Sequence, residues 1–207
     1  MTALDARPYH HGDLPNALRR AAAEVIGERG LGNFSLREVA RRAGVSHTAP
    51  AHHFGDMEGL LTSLATEGFT TLTEAMEQAL AGIDEPVERL VVMGQTYVEF
   101  ASTHPAHCDV MFRDDVVDED NAELAGAGMC AFEMLDSTVR ALIESEGLDA
   151  DVDVVTSLCW ATMQGLVVLA PKLDHVCEAH GRAKFAGPEL VRQFTEITVA
   201  GLRARRR

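Results

Sequence analysis

The stretch S-L-R-E-V-A-R-R-A-G-V-S-H-T-A-P-A-H-H-F, Ser35 to Phe54, decides how the rest of the chain is read. Ser35 and Glu38 have the S-x-x-E spacing of a capping box, in which hydroxyl and carboxylate satisfy free amides at a helix start. Leu36, Val39, Ala40 and Ala43 then share one apolar face. Gly44 ends this helix, because a left-handed residue past a helix C-terminus costs glycine almost nothing. Val45 returns an apolar contact to the corner, and Ser46 is placed to cap a second helix. Ala40 stands where a larger side chain would hold the two helices apart. A short helix, a glycine turn and a second helix predict a helix-turn-helix, the motif whose second helix enters the major groove of DNA.

Outward from this stretch, no segment alternates apolar and polar residues as a half-buried strand would, and aromatic residues are few. An all-α chain of about nine helices follows, divided into a head over residues 1–56 and a helical body over 57–207. The net charge of −14 argues against a nucleic-acid partner until it is split. Residues 1–55 carry seven Arg against five acids, +2, with five His besides; the remainder carries eleven bases against twenty-seven acids, −16. A basic head on an acidic body fits a protein that meets DNA at one end only. Cys108, Cys130, Cys159 and Cys177 lie far apart with no C-x-x-C spacing, and M-T-A-L-D-A-R-P has no apolar targeting core, so reduced thiols and a cytoplasmic location are expected. Residues 152–170 are apolar enough to suggest a membrane span. Asp153, Thr156, Ser157, Thr162 and Gln164 within them favour a buried helix and no membrane.

In order along the chain, residues 1–12 read as a loose arm with Arg7, His10 and His11. Asp13 is placed to cap the first helix, whose stripe is Leu14, Leu18, Ala22, Val25 and Ile26; Arg19 and Arg20 are candidates to face DNA, against the plainer reading of a solvated side. Pro50, four residues after Ser46, removes at most one hydrogen bond from the second motif helix. Asp56 caps a long helix from Met57 to about Gly82, with Leu60, Leu61, Leu64, Phe69, Leu72, Met76 and Leu80 inward. Pro86 and Pro105 open the next two helices, and Asp114, Asp115, Asp118, Glu119 and Asp120 form an acidic connection without the glycine and closing Glu of a calcium loop. A helix ending at Gly147 follows, then the apolar run Val152 to Leu169, and a last helix opened by Pro188 with Leu190, Val191, Phe194, Ile197 and Leu202 on one face.

R-E-V-A-R-R-A-G-V-S-H followed by H-F-G-D-M-E-G-L-L resembles the opening of the tetracycline-repressor-like (TetR) regulators, and covers about the first third of the chain. Tyr9-His10-His11-Gly12-Asp13-Leu14 and Trp160-Ala161-Thr162-Met163-Gln164-Gly165 are similar to one branch that carries Trp, His and Gly in the second phrase, Gln164 taking the His place. The resemblance implies a three-helix DNA-binding domain, a larger ligand-binding and dimerisation domain, and a dimer that binds a palindromic operator until a small molecule releases it. Base edges would then be read by Ser46, His47, Thr48 and Ala49, with His52 farther along, and phosphates by His53 and the amides near Ser35. Ala51 stands where the family commonly has Tyr, His52 where Arg is frequent and Met57 where Lys is usual, so backbone contacts are expected to be weaker or to be made by Arg37, Arg41 and Arg42. The last two long helices are the expected homodimer interface, as a four-helix bundle.

For an apolar or amphipathic effector, the large and flexible residues Met93, Tyr97, Phe100, Met111, Phe112, Met129, Phe132, Trp160, Met163 and Gln164 are the candidate lining, against the plainer reading as core. H-P-A-H-C (His104, His107, Cys108) and H-V-C-E-A-H (His175, Cys177, His180) hold metal-ligating types, but Pro105 breaks the first and the second lies in a polar connection. No metal and no cofactor are expected. There is no G-x-S-x-G, P-loop, dinucleotide fingerprint or His-Glu-x-x-His, so nothing supports an enzyme. The competing expectation is a helical binding protein that sequesters a small apolar molecule and has weakened or lost DNA binding.

Overall fold

The computed structural model describes residues 13–180 and 187–205; the expected arm at residues 1–12 lies outside them. Among the described residues there are nine α-helices, one turn of 3-10 helix and no strand. The helices are α1 (Leu14–Arg29), α2 (Leu36–Ala43), α3 (Ala49–Phe54), α4 (Met57–Ala79), α5 (Pro86–Thr103), α6 (Pro105–Met111), α7 (Ala122–Glu146), α8 (Val152–Ala179) and α9 (Pro188–Ala204).

Of the four caps expected, Ser35 and Asp56 form side-chain bonds, and Asn121 and Asp151 add two that were not expected. Ser35 Oγ accepts from the Glu38 amide at 3.3 Å, and Asp56, Asn121 and Asp151 accept in the same way at the starts of α4, α7 and α8. Gly44 adopts φ 70° and ψ 30°, and the Val45 amide donates back to the Ala40 carbonyl at 3.0 Å, so α2 stops and the chain turns sharply. Ser35→Ala is expected to cost about 1 kcal/mol. The readout is a lower urea midpoint with an unchanged slope. An unmoved midpoint would mean that the cap bond contributes nothing.

Four expectations are corrected. Asp13 precedes α1 without a side-chain cap bond. The second motif helix begins at Ala49 rather than at Ser46, so Pro50 lies in its first turn, where the missing amide is one the helix leaves unpaired anyway. Ser46, His47 and Thr48 therefore belong to the turn before α3. Helix α8 runs on to Ala179, so His175 and Cys177 are helical; its apolar repeat continues at Leu173 and Val176, and the helix carries through Pro171. Finally, α8 is not buried on several sides: Val154, Leu158, Val168, Leu169 and Val176 are exposed, as is Ile197 of α9. Residues 152–169 are long and apolar enough to cross a membrane, by length and composition only.

Head and body share one core. Leu18, Val25 and Ile26 of α1 and Val39 of α2 join Leu60, Leu64 and Phe69 of α4 in a cluster that continues to Met93, Tyr97 and Phe100 of α5. Helix α4 is thus packed from Leu60 to Met76 against both head and body, while its two ends are exposed. A second cluster, with Leu90, Val139, Leu142, Val155 and Val199, closes the far end of the body between α5, α7, α8 and α9. Between them α4 and α6 approach closely at Gly68, where a Cβ would meet Met111 Sδ at 2.7 Å and His107 Cβ at 3.1 Å.

Candidate DNA interface and ligand cavity

The exposed surface of the head is built from the turn and α3. Ser46, His47, Thr48, Ala51, His52 and His53 are exposed, Ala49 is half-buried, and Pro50 and Phe54 face inward to anchor the helix. Ser46 and Thr48 hydroxyls lie 3.0 Å apart and hold the turn before α3. The rings of His52 and His53 meet edge to face at 5.6 Å.

The arginines of α2 are differently placed. Arg42 makes a two-pronged pair with Glu28 of α1 at 2.6 and 2.5 Å, with Glu24 at 3.6 Å beside it. Arg41 grips Glu38 at 2.8 and 2.7 Å, and Arg29 adds a third contact at 3.2 Å. The Arg41 hydrogen bonds hold the Glu38 carboxyl down at about 2 against the cost of its desolvation, with smaller contributions from the Arg29 and Arg41 charges. Because that value is depressed, the knot's contribution is present above the ordinary carboxylate range and fades as pH falls through about 2. Arg37 and Arg20 are exposed and make no side-chain hydrogen bond or ion pair among the described residues. Arg19, a candidate to face DNA, turns the other way. It reaches Glu67 of α4 at 3.2 Å and Ser63 at 3.2 Å, and Glu67 also meets His107 of α6 at 3.3 Å. His107 first and then Arg19 hold the Glu67 carboxyl below its usual range against the cost of its burial. This junction of α1, α4 and α6 had no sequence signal, since its members stand 40 and 48 residues apart.

Inside the body, a cleft of about 740 Å³, its open mouth included, lies between α4, α5, α7, α8 and α9. Of the ten candidate residues, Met93, Tyr97, Phe112, Trp160 and Met163 line it. Gln164 stands behind Tyr97 and accepts its phenolic hydrogen bond. Phe100 is buried against the His104 ring, with centroids 4.6 Å apart. Met111 packs over Gly68, and Met129 and Phe132 are exposed, at 54% and 37%, although the Phe132 ring still approaches Trp160 at 5.8 Å. The sequence reading missed Phe69, Leu72 and Met76 of α4, Cys159 of α8, and Phe194, Thr195 and Thr198 of α9, all of which line the cleft. Only the two threonines left a trace, as hydroxyls three residues apart beside an apolar stripe. Phe112 meets Trp160 edge to face at 5.8 Å and Phe69 at 5.4 Å, so the segment leaving α6 forms one wall. Burial pushes the Cys159 thiol up to about 11 and the Tyr97 phenol far above its ordinary value, so both are neutral near pH 7. Among the described residues no three His, Cys, Asp or Glu side chains converge to hold a metal.

Residues 18–64 match the family described as bacterial regulatory proteins, tetR family, and residues 90–172 match the tetracyclin repressor-like C-terminal domain. Over 77 residues, 37% of this chain, the sequence is 36% identical to an uncharacterized HTH-type transcriptional regulator of Haemophilus influenzae, and the match spans 38% of that relative's length. A protein with unknown function from Rhodococcus sp. RHA1 has the same fold, with TM-score 0.76 and 29% identity over 95% of this chain and 99% of that one. The transcriptional regulator FadR of Bacillus subtilis, solved in complex with stearoyl-CoA, shares the fold at TM-score 0.71 and 20% identity, over 90% of this chain and 98% of its own.

Proposed function

The chain belongs to the TetR family of bacterial regulatory proteins, and on that premise we propose that it is a dimeric, ligand-responsive DNA-binding regulator that releases a palindromic operator when a small molecule fills the body. The observation that carries this reading is the exposed unit formed by Ser46, His47, Thr48, Ala49 and α3, buttressed from behind by Pro50, Phe54 and the α1–α2 core. Short hydroxyl, methyl and imidazole groups there suit base edges. His53 and Arg37 suit phosphates, with Ser35 and its neighbouring amides beside them. The exposed apolar side chains of α8 and α9 support pairing with a second copy, which a palindromic site requires.

Coupling follows from the helices that carry the cleft. Phe112 forms a wall of the cleft and ends α6, His107 of α6 holds Glu67 of α4, and Glu67 holds Arg19 of α1. A ligand that moves Phe112 therefore tilts α4 and changes the spacing of the two heads, shifting the population away from the arrangement that fits successive major grooves. A second reading, a ligand-binding protein that no longer engages DNA, draws support from the acids that occupy Arg41 and Arg42.

The test is fluorescence anisotropy against duplexes tiled across the DNA beside the gene, at two salt concentrations. Specific binding at one duplex is expected, with a shallow salt dependence because few head cations are free. Thr48→Ala is expected to weaken that duplex by about 1–3 kcal/mol, and Arg42→Ala by less, since Glu28 already holds the guanidinium. Uniformly weak binding to every duplex would favour the second reading. An unchanged affinity for both variants would move the reading surface away from the turn.

A further inference from the structure

The lining of the cleft is not merely apolar; it is uncharged throughout. None of the side chains around it is Lys, Arg, His, Asp or Glu. Its two titratable members, Tyr97 and Cys159, are both held neutral by burial. The hydroxyl protons of its threonines are already spent on their own helices: Thr162 donates to the Leu158 carbonyl at 2.7 Å, Thr195 to Val191 at 3.0 Å and Thr198 to Phe194 at 2.9 Å. The Tyr97 proton is spent on Gln164. What these four groups leave for a guest is oxygen lone pairs. The Trp160 indole N–H makes no hydrogen bond among the described residues, and it is the one side-chain N–H donor in the lining. A carboxylate buried here would meet lone pairs and hydrocarbon and find no cation, so its lost hydration would go uncompensated. A quaternary ammonium, which has no N–H to satisfy, would meet aromatic faces and oxygen lone pairs that attract a cation, so the lining discriminates against anions in particular.

We propose that the cleft selects an uncharged, largely hydrocarbon ligand bearing one hydroxyl or carbonyl oxygen, and rejects the corresponding carboxylate. This rests on reading the cleft as the effector site. A hydroxyl suits it best, because it both accepts from the Trp160 N–H and donates to a threonine or tyrosine oxygen. The protein thereby distinguishes a neutral lipid-like alcohol, ketone or ester from the acid of the same chain length, a difference in charge rather than in shape.

Trp160 is the only tryptophan in the chain and lines the cleft, so its fluorescence reports occupancy without DNA. The experiment titrates the full-length protein at pH 8 with two ten-carbon probes, 1-decanol and decanoate. Saturable change with decanol is expected, at least about tenfold tighter than with decanoate, given the cost of burying an unpaired charge. Decanoate should gain affinity as the pH is lowered toward its own protonation. Thr198→Lys, which places a cation at the half-buried edge of the lining, should reverse the order of decanol and decanoate. Equal or tighter binding of decanoate to the wild-type protein would overturn the proposal while leaving the effector site intact. Failure of both probes to perturb Trp160 would overturn the effector site and the proposal together. Operator binding, measured separately, stands or falls independently of both.

Discussion

Val168→Asp combined with Ile197→Asp is expected to convert the proposed dimer to monomer in sedimentation velocity and to weaken operator binding by more than about a hundredfold. Val168 of α8 and Ile197 of α9 are 51% and 69% exposed, with Val154, Leu158, Leu169 and Val176 exposed along the same helix as Val168. Monomers seldom leave so many large apolar side chains in water without a use for them. An aspartate at either place costs little in a free chain and several kcal/mol when covered by a partner without a cation. Loss of the dimer also removes the second head, so the two-headed grip on a palindrome becomes a single weak contact. Far-UV circular dichroism should be unchanged, because neither residue belongs to a core cluster. A double variant that still sediments as a dimer would put the interface on another face.

Gly68→Val is expected to destabilise the fold by about 1–3 kcal/mol, as overpacking does, and to alter operator affinity in the absence of any ligand. A Cβ at this position would meet Met111 Sδ at 2.7 Å, Met111 Cγ at 2.9 Å and His107 Cβ at 3.1 Å. The thioether can swing aside, which makes Gly68→Ala the milder change. The His107 Cβ is fixed to the backbone of α6 and cannot, so valine must push α6 off α4. That displacement pulls His107 from Glu67 and moves the segment carrying Phe112, thereby touching head and cleft at once. Gly126→Ala on α7 is the control: its Cβ would meet nothing within 4 Å, and the change should stabilise slightly. If Gly68→Val unfolds as late as the wild type, α6 is not wedged against α4 as described.

The helix-turn-helix was legible because its signals are local. A cap three residues from its partner, a glycine that must adopt positive φ and an apolar face with a short period all lie within one stretch. The start of α3 was misread because Ser46 and Thr48 are both good caps, and only the turn geometry decides between them. The cleft was half legible. Met93, Tyr97 and Trp160 stand out by type, but Phe69, Leu72 and Met76 look identical to the core residues Leu60 and Leu64 on the same stripe. Whether an inward leucine faces another helix or a cleft depends on how far apart distant helices stand, which spacing along one helix does not record. The Arg19–Glu67–His107 junction was illegible for the same reason, its members being brought together only by packing of α1, α4 and α6. The exposed run on α8 was misjudged because an apolar sequence marks a surface that must be covered without saying by which chain.

The occupied guanidinium groups of α2 bear on how the protein would search a chromosome. Glu28 and Glu38 already do for Arg42 and Arg41 what DNA phosphates do for most binding proteins. A head with Arg41 and Arg42 so occupied, and only Arg20 and Arg37 left exposed without an ion pair among its described arginines, gains less from the uniform charge of bulk DNA, which is the main source of non-specific attachment. Millions of irrelevant sites then act as a smaller sink, and more copies stay in free diffusion at any moment. Such a regulator gives up long one-dimensional sliding for frequent three-dimensional encounters.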